Sequence, residues 1–196
     1  QMKRIGIFGG SFNPIHNGHI ALGKAFLRQA KLDELWFVVS PQNPLKRNDK
    51  LLDDNLRLEM AQLAVDDLKN KRIKVSDVEF HLPKPSYMIS TLESISKQNP
   101  DYIPVLLIGE DNWERFPQWY RHDDILANYE ICIYPREGSD GKLTQESLPE
   151  GCTLIDAPLF NVSSTEIRER LAAGDSIDGM VPDKVAEFIT ERHLYL

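Results

Sequence analysis

Gly6-Ile7-Phe8-Gly9-Gly10-Ser11-Phe12-Asn13-Pro14-Ile15-His16-Asn17-Gly18-His19 runs from a short apolar segment through paired glycines into a polar turn. It ends on two histidines where a helical pattern begins. In an open parallel sheet, ligands bind outside the carboxyl ends of the strands, so the turn after the first strand is where binding chemistry belongs. Gly9 and Gly10 allow the backbone to approach a ligand without a Cβ clash, and the first amides of the following helix face an anion. Neither G-x-x-x-x-G-K-[ST] nor G-x-G-x-x-G is present, which excludes a P-loop and an ordinary dinucleotide fingerprint. His16 and His19 lie three residues apart and project from one side of the first helical turn. Three readings of the pair are open. A metal site would need further ligands, and no Cys, Asp or Glu is near in sequence. A structural role would have the imidazoles cap the turn. Phosphate binding accounts for more of the surrounding residues, since a histidine beside a polyphosphate donates hydrogen bonds and takes up positive charge.

Outward from this turn, short apolar runs alternate with longer helical patterns, the signature of βα units. Strands are expected at Lys3 to Phe8, Glu34 to Ser40, Ile73 to Phe80, Ile103 to Ile108, Glu130 to Tyr134 and Thr153 to Asp156. Helices are expected at Gly18 to Ala30, Asp54 to Leu68, Met88 to Gln98, a more broken Asp111 to Leu126, Ser164 to Ala173 and Pro182 to Arg192. In the first helix Ile20, Leu22, Ala25, Phe26 and Leu27 form the apolar stripe, with Lys24, Arg28 and Gln29 toward water. These elements predict an α/β fold: one doubly wound, Rossmann-like domain over residues 1–196 with a five- or six-stranded parallel sheet. Pro41 to Lys50, His81 to Ser86 and Arg136 to Gly151 read as loops, of lengths that usually belong to lids or binding loops.

The bulk composition agrees. The chain has 196 residues, a net charge of −7, 41% hydrophobic and 27% charged residues, which excludes intrinsic disorder, collagen and coiled coil. An acidic balance argues against broad coating of nucleic acid, which needs a basic face, but leaves room for a small anion in a locally basic cleft. No apolar run reaches the ~20 residues of a membrane span. The first residues are too soon broken by glycine for a signal peptide, so a cytoplasmic location is expected. Cys132 and Cys152 form no metal spacing and read as reduced thiols.

Gly9 through His19 resembles the GG[TS]F[DN]P-x-H-x-GH signature of the nucleotidyltransferase superfamily, and the chain is most similar there to bacterial nicotinate-nucleotide adenylyltransferases. Val162-Ser163-Ser164-Thr165-Glu166-Ile167-Arg168 is similar to the I-S-S-T-x-I-R motif of that family. Read physically, Ser164 or Thr165 caps a helix whose free amides bind phosphate, and Arg168, one turn inside, neutralises a departing pyrophosphate. Alone the motif reads as a plain helix cap; paired with the first it reads as the second half of a phosphate site. Pro41-Gln42-Asn43-Pro44-Leu45-Lys46 resembles a loop that ends in a phosphate-contacting lysine, which implies that role for Lys46.

Gly109-Glu110-Asp111-Asn112 and Phe116-Pro117-Gln118-Trp119-Tyr120 are similar to G-x-D and F-P-x-W-Y segments. The resemblance implies that Asp111 accepts from ribose hydroxyls, Trp119 stacks on a pyridine ring and the backbone at Tyr120 meets its carboxylate. Pro85-Ser86-Tyr87-Met88 resembles P-S-Y-T, with Met88 where a threonine would donate to that carboxylate; a thioether cannot. Arg136 matches a position near the nucleotide, and Val181 to Ile189 with His193-Leu194-Tyr195 resembles the family's ending. The implied reaction is attack of the 5′-phosphate of nicotinate mononucleotide on the α-phosphorus of ATP, with pyrophosphate leaving. His16, His19, Lys46 and Arg168 are the expected catalytic residues. Gly9, Gly10, Ser11, Phe12, Gly109, Asp111, Arg136, Ser163, Ser164 and Thr165 join them at ATP, while Asn13, Tyr87, Met88, Trp119 and Tyr120 with Lys46 meet the mononucleotide. Mg²⁺ is expected to arrive with ATP on phosphate oxygens and water, with no protein metal site. The alternatives are the amide mononucleotide or phosphopantetheine as acceptor, or a nucleotide-binding regulator without catalysis. Oligomeric state is open, a homo-oligomer included.

Overall fold

Six strands, β1 (Lys3–Gly10), β2 (Glu34–Val39), β3 (Ile73–Ser76), β4 (Tyr102–Gly109), β5 (Glu130–Tyr134) and β6 (Cys152–Leu154), form one sheet in the order β3-β2-β1-β4-β5-β6. Every neighbouring pair is parallel. The architecture is that of a computed structural model describing residues 1–45, 48–158 and 160–196. Among the described residues seven α-helices flank the sheet, the first five between strands and the last two after β6: α1 (Asn17–Gln29), α2 (Asp54–Leu68), α3 (Met88–Gln98), α4 (Glu110–Arg115), α5 (His122–Asn128), α6 (Ser164–Ala173) and α7 (Asp183–Arg192). The upper of the expected strand numbers is the observed one.

Both faces of the sheet are buried, and side chains alternate between two cores as strand geometry requires. Phe8, Leu35, Phe37, Val105 and Leu107 face a core built with Phe26, Met60, Val185 and Phe188. Ile5, Ile7, Val38, Leu106 and Ile108 face the opposite core with Ile89, Leu92, Phe116 and Ile125. Gly6 is the place where α1 closes on the sheet: a Cβ there would sit 2.4 Å from a Leu32 methyl and 2.7 Å from the Phe26 ring.

Element boundaries and the setting of one side chain differ from the sequence reading. The third strand stops at Ser76, where its pairing with Val38 ends, and Val78–His81 turns as a 3-10 helix that carries Glu79 into the interior. The broken helix after the fourth strand is α4, a 3-10 turn at Phe116–Gln118, and α5, because Pro117 lacks the amide that a continuous helix needs. Gln29 does not simply face water: its amide donates to the Asp156 carbonyl and accepts from the Asp156 amide, both at 2.8–2.9 Å. No helix among the described residues is long and apolar enough to cross a membrane.

The chain leaves β1 toward β2 on one side and reaches β4 on the other. The carboxyl ends of β1 and β4 therefore flank the point where strand order reverses, and a crevice opens there.

Candidate active site

The crevice is a cleft of about 540 Å³ lined by Gly9, Gly10, Ser11, Phe12, His16, His19, Tyr134, Arg136, Ser163 and Ser164 among others. It thus joins the two motifs that lie some 150 residues apart. Phe12 holds a left-handed backbone (φ 49°) and is buried, its ring edge-on to Phe8, Phe37 and His19. That packing fixes a conformation a non-glycine residue rarely adopts and aims the turn.

His16 is the N-cap of α1. Its Nδ1 accepts from the Gly18 amide at 3.0 Å and the His19 amide at 3.3 Å, while the His16 amide donates back to His19 Nδ1 at 3.1 Å. The rings stack with centroids 3.7 Å apart. Because both Nδ1 atoms accept from backbone N–H groups, the proton of each neutral imidazole must be on Nε2. Burial pushes the His16 ring down to about 4, and burial with repulsion from His16 holds His19 well below 6.5. Burial thus favours neutral rings, whose Nε2–H groups have no protein acceptor among the described residues. The first α1 amides are engaged within the protein, for the Asn17 amide donates to the Met180 carbonyl and the next two donate to His16. Capping and ligand binding are therefore not alternatives here, since one nitrogen of each ring does the first and leaves the other for the second. Gly18 is required for it: a Cβ would lie 2.8 Å from His16 Cε1.

At α6 the cap is Ser163, whose side chain accepts from the Glu166 amide at 3.1 Å, rather than Ser164 or Thr165. Ser164 instead donates to the Pro14 carbonyl at 2.9 Å, tying the helix start to the first motif. Its own amide and that of Thr165 are among the helix-initial donors without intrahelical partners. Arg168 Nη1 donates to the Asn13 carbonyl at 2.8 Å and Nη2 to Thr165 Oγ1 at 3.3 Å. Thr165 and Arg168 line a neighbouring cavity with Lys50, Leu52 and Tyr195 rather than the cleft itself. Asn13 is 5% exposed and its side chain makes three hydrogen bonds within the protein.

A second cleft, about 360 Å³, brings together Tyr87, Met88, Trp119 and Tyr120 with Ser40 and Glu79. The Tyr87 and Tyr120 rings lie 4.7 Å apart, and Trp119 rests on Phe116 at 5.3 Å. Met88 also reaches Gly9, where a Cβ would meet its methyl at 3.2 Å, so this residue stands between the clefts. Lys46 lies outside the described residues. Gly109 and Asp111 do not line the first cleft: Tyr134 packs over Gly109, and the Asp111 carboxylate accepts from Arg136 at 2.8 Å, with Glu114 on the same guanidinium at 2.9 Å. Those carboxylates hold the Arg136 guanidinium firmly protonated at the edge of the cleft.

Sequence reasoning passed over three residues that shape this region. Arg57, wholly buried on α2, donates to the carbonyls of Ser11, Ser40 and Leu52 and pairs with Asp54. An arginine in register with Met60, Ala61 and Ala64 was the available signal. Glu110, not its neighbour Asp111, is the buried carboxylate after β4; it accepts from the Arg136 amide and Ser139 hydroxyl and so fixes the loop after β5. Glu79 accepts from Thr91 Oγ1 at 3.0 Å, and burial raises its pKa. Burial pushes the Cys132 thiol up to about 11, which disfavours the thiolate form.

A parallel sheet, a glycine turn, imidazole donors and a second capped helix facing one cleft describe a nucleotidyltransferase, and the chain belongs to the cytidylyltransferase-like family, which its residues 7–170 match. A Bacteroides thetaiotaomicron protein named "Probable nicotinate-nucleotide adenylyltransferase" is 44% identical over 96% of this chain and 91% of its own. One of the same name from Cytophaga hutchinsonii is 42% identical over 98% of each. The solved Plasmodium falciparum nicotinic acid mononucleotide adenylyltransferase complexed with NaAD shares the fold, with a TM-score of 0.79 at 21% identity over 98% of this chain and 97% of that one.

Proposed function

We propose that this chain transfers the adenylyl group of ATP to the 5′-phosphate of nicotinate mononucleotide across its two clefts, yielding nicotinate adenine dinucleotide and pyrophosphate. The observation that carries the assignment of roles is the pair of neutral imidazoles whose Nδ1 atoms are locked by backbone amides. Locking leaves two Nε2–H donors fixed on the cleft with no reorganisation to undergo when charge develops on a transferring phosphoryl group. The attacking oxygen belongs to an already ionised phosphate, so neither a general base nor a covalent nucleophile is needed, and rate comes from holding two anions in line.

In this reading the Gly10–Phe12 backbone and the first amides of α6 cradle the triphosphate with His16 and His19. Arg168 braces the cradle through the Asn13 carbonyl and sets a positive charge one turn inside α6. Arg136 guards the nucleotide side of the cleft. Trp119, Tyr87, Tyr120 and Met88 take the pyridine ring in the second cleft, and Lys46 contacts the mononucleotide phosphate. A divalent ion entering on ATP would rest on phosphate oxygens and water and neutralise charge there.

The test is synthesis of the dinucleotide from ATP and either the acid or the amide mononucleotide at equal concentration, by wild type and by His16→Ala and His19→Ala. We expect the acid to be preferred and each variant to lose ~100-fold in kcat, the cost of removing one fixed donor. Near wild-type turnover in both variants would overturn the mechanism, and preference for the amide would overturn the substrate.

A further inference from the structure

The C-terminal Tyr195 does not touch either cleft, yet its hydroxyl lies 2.7 Å from Asn13 Oδ1, a contact spanning 182 residues. Asn13 follows the strained Phe12 in the phosphate turn. The same Oδ1 accepts from the Leu52 amide at 3.1 Å, and the Asn13 Nδ2 donates to the Lys50 carbonyl at 2.8 Å. One buried amide thus joins the phosphate turn, the segment that ends the loop from Pro41, and the chain's penultimate residue. Arg57 grips the same segment from the other side through the Leu52 carbonyl at 2.8 Å and ties it to Ser40, which lines the second cleft.

We propose that Tyr195 is a positioning residue for the mononucleotide-binding loop, clamping its Lys50–Leu52 end to the phosphate turn through Asn13. This inference rests on the adenylyl-transfer reading for its choice of substrate. Three features support it beyond the contact. Asn13 is nearly inaccessible, and both its Oδ1 and its Nδ2 bond within the protein. Tyr195 takes a left-handed backbone (φ 62°) in place while Leu194 before it is anchored in the core. Burial keeps the phenol protonated, hence a donor, throughout the physiological range. The clamp acts on the end of the loop that precedes α2, whereas Arg168 and Ser164 hold the turn itself through the carbonyls of Asn13 and Pro14. Loss of the hydroxyl should therefore be felt by the mononucleotide more than by ATP.

Tyr195→Phe in the full chain removes only that hydroxyl. We expect KM for nicotinate mononucleotide to rise about fivefold, the weight of one buried hydrogen bond, with kcat and KM for ATP within about twofold. Exchange of the Leu52 amide with deuterium, read by NMR without substrate, should quicken by a similar factor. In an Asn13→Ala background the same substitution should add nothing to either readout, since Tyr195 acts through Asn13. An unchanged mononucleotide KM, or a common decline of kcat, both KM values and thermal midpoint, would overturn the positioning role. Unchanged Leu52 exchange would overturn the clamp itself. Failure of the wild type to make any dinucleotide would instead refute the adenylyl-transfer reading and the substrate named here, a result distinguishable from both.

Discussion

Gly18→Ala separates the catalytic geometry of the histidine pair from the stability of the helix they begin. The added methyl would stand 2.8 Å from His16 Cε1 and 3.0 Å from Nδ1, against an ordinary contact from 3.4 Å, so the ring must move by about 0.6 Å. The alternative, shifting the α1 backbone, is opposed by buried Ile20 and Leu22 just beyond it. Moving the ring weakens its two capping bonds, which costs about 1 kcal/mol, while alanine in a helix gains about 1 kcal/mol over glycine. Stability should therefore change little, with the thermal midpoint within roughly 4 °C of wild type. Catalysis should not be spared. A donor displaced from the position where charge develops loses most of its worth, and kcat for dinucleotide synthesis, followed by continuous pyrophosphate release, should fall ~100-fold. A Gly18→Ala enzyme that turns over within threefold of wild type, with folding stability intact, would refute the claim that backbone amides lock the imidazoles for catalysis.

The same pair makes stability depend on pH. The folded state holds His16 neutral down to about 4, while the unfolded chain protonates near 6.5, so the unfolded state binds more protons between those values and stability falls as pH drops through that window. The full effect for His16 is about 3 kcal/mol, measured by urea unfolding from pH 7 to pH 4. His16→Asn, which keeps a capping acceptor without a titrating ring, should show a shallower decline, and equal slopes would contradict the assignment. Met88→Thr places a hydroxyl at the wall of the second cleft and should raise kcat/KM for the acid mononucleotide several-fold relative to the amide. An unchanged acid-to-amide ratio would show that this position does not read the carboxylate.

Much of the fold was legible because its determinants are local. The helices at Asp54–Leu68, Met88–Gln98 and Ser164–Ala173 follow from apolar spacing and helix-start signals alone, and the β1 glycines mark the turn at the carboxyl edge. Glu79 was misread as strand because a short apolar run does not show where its pairing partner ends. Ser163 was missed as the α6 cap because three consecutive hydroxyl residues offer the same chemistry and only backbone geometry chooses among them.

What the residues alone determined was the alternation of strands and helices, and the presence of two phosphate-type motifs with their imidazoles and guanidinium. Those are properties of nearest neighbours and of period. The tertiary structure decided how the groups are used: which histidine nitrogen keeps the proton, which serine caps, and that Arg168 and Tyr195 both hydrogen-bond to Asn13. Each of these depends on donors and acceptors brought within 3 Å or so from distant parts of the chain, and on burial that forbids a polar group from going without a partner.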